Sequence, residues 1–190
     1  NFYQGSIAAS GGDYRASAVT FAYGGVQVWN DDGNNTNYAA GAQITTMSQN
    51  LVVDNRGYVT KPKQPCASMT VSNSLVNTHY LRHSTVHTNI GSHYNTSNYI
   101  FTCPVAGLYY CSLMVMSNAS NDTMDFELHK DGGNMNSILV PYQAPTGGSY
   151  NQVSGSTIIE CAAGDELRFK RNNGSVYGGR HSNMTFALFA

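Results

Sequence analysis

Charge is what this chain has least of. Only 11% of its 190 residues are Asp, Glu, Lys or Arg, against roughly 25% in an average soluble domain. The formal net charge is −1, and ten scattered basic residues leave no electrostatic footprint for nucleic acid. Helix-forming Lys and Glu number 4 and 3, while Asn numbers 20 and Tyr 13. That balance argues against a helical bundle and against an α/β enzyme with many surface helices. No apolar run approaches about 18 residues, so no membrane-inserted helix is encoded. The four cysteines show no two-residue spacing, which argues against a zinc site. No nucleophile elbow, phosphate loop or His-Glu-x-x-His is present, and the chain is read as no enzyme. It opens Asn1-Phe2-Tyr3, without Met and without a leader, and is expected to be a fragment or processed product.

What is there reads as strands from end to end. Met124, Phe126 and Leu128 alternate with Asp125, Glu127 and His129, a half-buried strand closed by Lys130-Asp131-Gly132-Gly133. Leu167 and Phe169 alternate with Arg168 and Lys170 before the turn Asn172-Asn173-Gly174. Val153, Thr157, Ile159 and Cys161 share a parity, and Met184 to Phe189 is apolar and strand-like. From Leu108 to Met116 both parities are apolar. Such a strand needs cover on both faces. Either a loop or another subunit supplies it, with Tyr109, Tyr110, Met114 and Met116 the candidate interface residues.

A boundary falls near residue 61. Leu51 to Thr60 reads as a hairpin turning at Asp54-Asn55-Arg56-Gly57, and Lys61-Pro62-Lys63-Gln64-Pro65 is a stiff connector. Before it lie strand candidates at Val19 to Tyr23 and Val26 to Trp29, with a turn over Asn30 to Asn34. So aliphatic-poor a stretch of about 60 residues does not easily fold alone. Three copies around one axis would share a core. The expected organisation is therefore a β-rich stalk or collar over 1–60, a connector over 61–65, and a head over 66–190.

Candidate functional residues fall in three groups. His79, His83 and His87 are spaced by four and share a strand parity. They are candidate metal ligands on a trimer axis, the alternative being polar side chains on a solvent face. Cys66, Cys103, Cys111 and Cys161 read as small buried hydrophobes, with one or two disulfides as the alternative. The loops Tyr142 to Tyr150 and Gly174 to His181 combine Tyr with Asn, Ser and Gly, a composition suited to adaptable binding surfaces. Tyr142, Tyr150, Tyr177, Arg180 and His181 are the candidate ligand contacts. Sequons at Asn34, Asn95, Asn118, Asn121, Asn173 and Asn183 are a mild excess over the roughly four that composition gives by chance.

A more specific pattern then emerges. Asn89-Ile90-Gly91-Ser92-His93-Tyr94-Asn95 precedes Phe101-Thr102-Cys103-Pro104-Val105-Ala106-Gly107-Leu108-Tyr109. Leu128-His129-Lys130-Asp131-Gly132, Ser154-Gly155-Ser156, Gly164-Asp165-Glu166-Leu167 and Met184-Thr185-Phe186-Ala187-Leu188 follow in order. This series resembles the complement C1q globular head family over residues 66–190. Cys111 and Ala187 depart from the family pattern without removing a strand. The resemblance implies an all-β, ten-stranded C1q/TNF-like jelly roll that trimerises at the end of a stalk. The family's calcium ligands do not map onto this sequence, so no cofactor is expected, with calcium or a transition metal as the alternative. The run Val52 to Pro65 resembles, more weakly, the lead-in to such heads in phage tail-fibre proteins.

The resulting expectation is a homotrimeric fibre tip of a phage virion. It would bind a host cell-surface glycan or protein and join other virion proteins through an upstream part. The alternatives are a secreted C1q-like adhesion or lectin protein, a purely structural virion component, and a depolymerase.

Overall fold

A computed structural model describes residues 2–3, 17–22, 24–31, 47–75, 79–134, 141–144 and 147–190. Residues 32–34 of the turn expected over Asn30 to Asn34, Tyr23 of the first strand candidate, and the sequon at Asn34 lie outside them. Two compact units divide the chain, residues 1–64 and 65–190.

The first unit is one antiparallel sheet in chain order: β1 (Phe2–Tyr3), β2 (Ser17–Ala22), β3 (Gly25–Asp31), β4 (Met47–Val53) and β5 (Val59–Thr60). The expected hairpin from 51 to 60 forms between β4 and β5. Its turn is held by Asp54 Oδ1, which accepts the N–H groups of Arg56 and Tyr58 at 2.9 Å each, and by Gly57 at φ +85°. Apolar residues line up across strands, Val19 opposite Val28 and Val28 opposite Leu51. None of the side chains described in this unit is buried, and Phe21 is 63% exposed.

In the second unit the strands are β6 (Cys66–Leu75), β7 (Leu81–Ile90), β8 (Tyr94–Asn95), β9 (Ile100–Thr102), β10 (Gly107–Met116), β11 (Met124–Lys130), β12 (Gly133–Asn134), β13 (Tyr142–Gln143), β14 (Gln152–Cys161), β15 (Glu166–Asn173) and β16 (Gly179–Leu188). They form a sandwich of two antiparallel sheets, β14-β10-β16-β6-β7 and β12-β11-β15-β9-β8, with β13 on β11. No helix occurs among the described residues. Alternate side chains of each sheet enter one core. At its centre Phe186 stacks between Phe101 and Phe169, with ring centroids 5.4 and 5.3 Å away.

Several of the quoted motif residues are structural devices. Asn89 closes its loop from both sides: its Nδ2 donates to Tyr94 O at 2.8 Å and its Oδ1 accepts the Tyr94 N–H at 3.0 Å. Gly107 admits the close approach of Ala190: a Cβ there would lie 2.6 Å from Ala190 O. Asp131 Oδ1 accepts the Glu166 N–H at 2.8 Å, and Asp165 Oδ2 the Ala162 N–H at 2.9 Å.

Two alternation readings need correction. On β10 the inward parity is Tyr109, Cys111, Leu113 and Val115. Tyr109 is wholly buried, its hydroxyl donating to Val105 O at 2.8 Å. Its side chain is therefore unavailable to a second subunit, whereas Tyr110, Met114 and Met116 lie on the outward face. On β11 the polar parity is not a solvent face. Glu127 and His129 are 3% and 5% exposed. Tyr80 bridges to Lys170 from the start of β7 and covers them, its hydroxyl 3.0 Å from His129 Nδ1. Glu127 Oε1 lies 2.9 Å from His129 Nε2 and 3.3 Å from Lys170 Nζ. Burial alone would raise the Glu127 carboxyl, but contacts from His129, Asn172 and Lys170 hold it below the usual range.

Candidate functional site

The loops at one end of the sandwich converge on a polar hub. Ser117 follows β10, Asp122 precedes β11, and Ser175 follows β15. Asp122 Oδ2 accepts the Ser117 hydroxyl at 2.6 Å, the Ser175 N–H at 2.7 Å and the Ser175 hydroxyl at 2.8 Å. Burial alone would raise this carboxyl. The Ser117 and Ser175 donors, together with the Arg171 guanidinium, outweigh it and hold the pKa below the usual aspartate value.

Stability follows that sign. A depressed folded pKa contributes stability that is present above the unfolded value near about 4 and lost as pH falls through the folded value. Between pH 7 and pH 2 the chain is expected to lose stability in denaturant titrations. Asp122→Asn is expected to remove part of that slope, and an unchanged slope would sink the assignment.

Above this hub the 174–179 loop is clamped from below. The Tyr177 N–H donates to Met116 O at 2.6 Å, and the wholly buried Ser182 donates its hydroxyl to Tyr177 O at 2.8 Å. Gly178 permits the close approach: a Cβ would lie 2.5 Å from the Asn73 backbone nitrogen. So held, the Tyr177 ring stacks on His181, centroids 4.3 Å apart and planes 11° apart. The Tyr150 ring lies 6.0 Å from the Tyr177 ring, tilted by 51°. Tyr150 is 62% exposed and adopts φ +64°, a left-handed conformation two residues before β14.

The result is an aromatic ladder of Tyr150, Tyr177 and His181, with Arg180 Nε 3.4 Å from His181 Nε2. A hollow of about 200 Å³ beside Tyr177 is lined by Ser72, Asn73, Ser84, Gly178 and Gly179. A second, of about 310 Å³, lies by His79, Asp122, Arg171 and residues 172–175. Aromatic faces beside hydroxyl and amide groups can stack on and hydrogen-bond a polar ligand. Four of the five sequence-predicted ligand contacts thus come together. Tyr142 does not: it is on β13, opposite Asp125. The hub of Ser117, Asp122 and Ser175 was missed, because no local spacing relates Ser117 and Asp122, in the loop between β10 and β11, to Ser175, 53 residues beyond Asp122.

The three histidines are not brought together. Register shifts between β6 and β7 leave Ser84 and His87 without a directly opposed residue, which breaks the shared parity. His83 turns toward Tyr94, with Nδ1 3.3 Å from the Tyr94 hydroxyl. Burial first, then the Arg82 charge, lowers its pKa. His79 is beside the second hollow, and His87 is exposed. Among the described residues no group of three His, Cys, Asp or Glu side chains converges as a metal site.

Residues 66–189 match the C1q domain family. The chain belongs to that family. The C1q domain here is 28% identical to mouse (Mus musculus) complement C1q tumor necrosis factor-related protein 3 over 106 residues, 56% of this chain and 42% of that protein. The human (Homo sapiens) counterpart is 27% identical over the same length. The matched stretch is thus less than half of these relatives. Among solved structures, the globular domain of zebrafish complement 1qA protein superposes with a TM-score of 0.53 at 15% identity, covering 67% of this chain and 98% of that one. Murine APRIL at pH 5.0 gives 0.51 at 14% identity, covering 67% and 100%. At such identities these two likenesses show the sandwich fold alone. The virion-fibre expectation draws no support from these relatives, which favour the cellular alternative.

Proposed function

We propose that this chain is the recognition head of an extracellular C1q-like adhesion protein, acting as a homotrimer and binding a cell-surface glycan. The observation that carries the binding proposal is the convergence of Tyr150 and His181 on Tyr177, which a clamped loop holds in place. A ligand read by stacking and neutral hydrogen bonds suits a chain with little charge. The trimer proposal is supported by the outward face of β10. There Tyr110 is opposed by Ile158 and Ala187, Ala187 by Cys66, and Cys66 by Ile90. This uncharged row crosses all five strands, and Leu108, Tyr110 and Ile158 are 40%, 36% and 45% exposed. The sheet over 1–64, with no buried side chain among those described, fits a collar whose apolar rows pack against the same sheet of two further copies.

The test is binding of the labelled chain to cells and to immobilised glycans. Tyr177→Ala and Tyr150→Ala are each expected to weaken binding by about tenfold, the loss of one stacking contact. Loss of cell binding on enzymatic removal of surface glycans is expected. Binding that survives deglycosylation identifies a protein ligand instead, and unchanged binding by the double variant overturns the ladder as the site. A second setting for the same head, the tip of a virion fibre, rests on the weaker resemblance of the run over 52–65 alone. Sequence upstream of residue 1 separates the two.

A further inference from the structure

Neither the candidate ligand site nor the outward face uses the buried thiols. Cys103 follows β9 in one sheet, and Cys161 ends β14 in the other. The turn between β14 and β15 draws them together. The Cys103 N–H donates to Asp165 O at 2.8 Å, and the Cys103 carbonyl accepts the Gly164 N–H at 2.7 Å. Both side chains enter the same core cluster, 0% and 2% exposed, close enough for each thiol to perturb the other. Cys111 is the weaker partner on geometric grounds. Its opposite residue is Thr157, whereas Cys161 is opposite Gly107, an offset of four residues or about 13 Å along the strands. Disulfides need Cα atoms within about 7 Å. Cys66 lies in the outward row of the β10 sheet, opposite Ile90.

We propose that Cys103 and Cys161 are a site of oxidative modification, closing to an intrachain disulfide that staples the two sheets at this end of the sandwich. The oxidant is a low-molecular-weight disulfide such as glutathione disulfide. Cys161 is the attacking group: the Cys103 S–H and the Lys130 ammonium hold its thiol below the usual range against the effect of burial. Its thiolate attacks one glutathione sulfur, forming a mixed disulfide and releasing one glutathione thiolate. Cys103 then loses its proton, and its sulfur attacks Cys161 Sγ, releasing the second glutathione. Two protein thiols are oxidised and one glutathione disulfide is reduced to two thiols. Ala162, Ala163 and Gly164 are exposed, so opening of this turn, or closure before folding finishes, gives the oxidant access. The inference stands apart from the ligand proposal, and failure of either leaves the other intact.

The test uses the full chain, purified under reductant, transferred to glutathione disulfide, then denatured, alkylated and peptide-mapped. The expected result is a loss of two alkylatable thiols, a protein mass lower by about 2 Da, and a linked peptide pair carrying Cys103 and Cys161. The melting temperature should rise by roughly 10 °C and fall again on reduction. Cys111→Ala should keep the linkage, and Cys161→Ala should abolish it. Four alkylatable thiols in the oxidised chain, or a linkage through Cys66 or Cys111, overturns the proposal. The mapping on the unsubstituted chain decides the matter even where a variant fails to fold.

Discussion

Tyr110→Glu is expected to yield a folded monomer. Tyr110 stands on β10, the second of its sheet's five strands, on the outward face. Its cross-strand neighbours Ile158 and Ala187 carry no charge. Burying a carboxylate there without a partner costs several kcal/mol, and a three-fold assembly incurs the cost in every subunit. Light scattering coupled to size exclusion should report one third of the parent mass, with the circular dichroism unchanged. A variant that remains trimeric at micromolar concentration would remove this face from the interface. Tyr109→Phe is the control of opposite parity. It deletes the hydroxyl that bonds Val105 O, and should cost about 1 kcal/mol of stability without altering the assembly.

Phe186→Ala carries the largest expected loss of stability. The ring is 1% exposed and stacked on both sides, against Phe101 at 18° and Phe169 at 24° between planes. Deleting it removes the burial of an aromatic and leaves a cavity where the sheets meet. Such replacements cost about 3–5 kcal/mol, a large fraction of the roughly 5–15 kcal/mol that holds a typical domain folded. Denaturant titration measures this directly. A loss below about 1 kcal/mol would mean that the three rings are not a cooperative centre. Phe186→Leu, which refills much of the space, should recover more than half of the loss.

Much of this could be read from order along the chain, because it depends on near neighbours. The alternation of Met124, Phe126 and Leu128, and of Leu167 and Phe169, marks which side chains enter the core. Turn chemistry at Asp54 to Gly57 and at Asn172 to Gly174 marks where strands end. The motif order from Asn89 to Leu188 identifies the family, because residues such as Asn89, Gly107 and Asp131 hold loops in one shape. The loops rich in Tyr, Asn and Ser, on which the binding proposal rests, could likewise be picked out by composition.

Other features depend on contacts between residues far apart. Glu127 and His129 look solvent-facing until Tyr80, 49 residues from His129, is laid over them. Which face of β10 turns inward is undecidable from a strand that is apolar on both parities, and the second sheet settles it by burying Tyr109. The four-residue spacing of the histidines is undone by register shifts against β6. The aromatic ladder needs two loops to arrive at one end, and the thiol pair needs β9 and β14 to face each other across the core. The low charge, the strands and the family were thus determined by the sequence itself, since period and turn chemistry act over a few residues. The packing of distant segments alone decided the burial of Glu127 and His129, the outward face, the ladder and the adjacent thiols, since each depends on residues that only the closed sandwich makes neighbours.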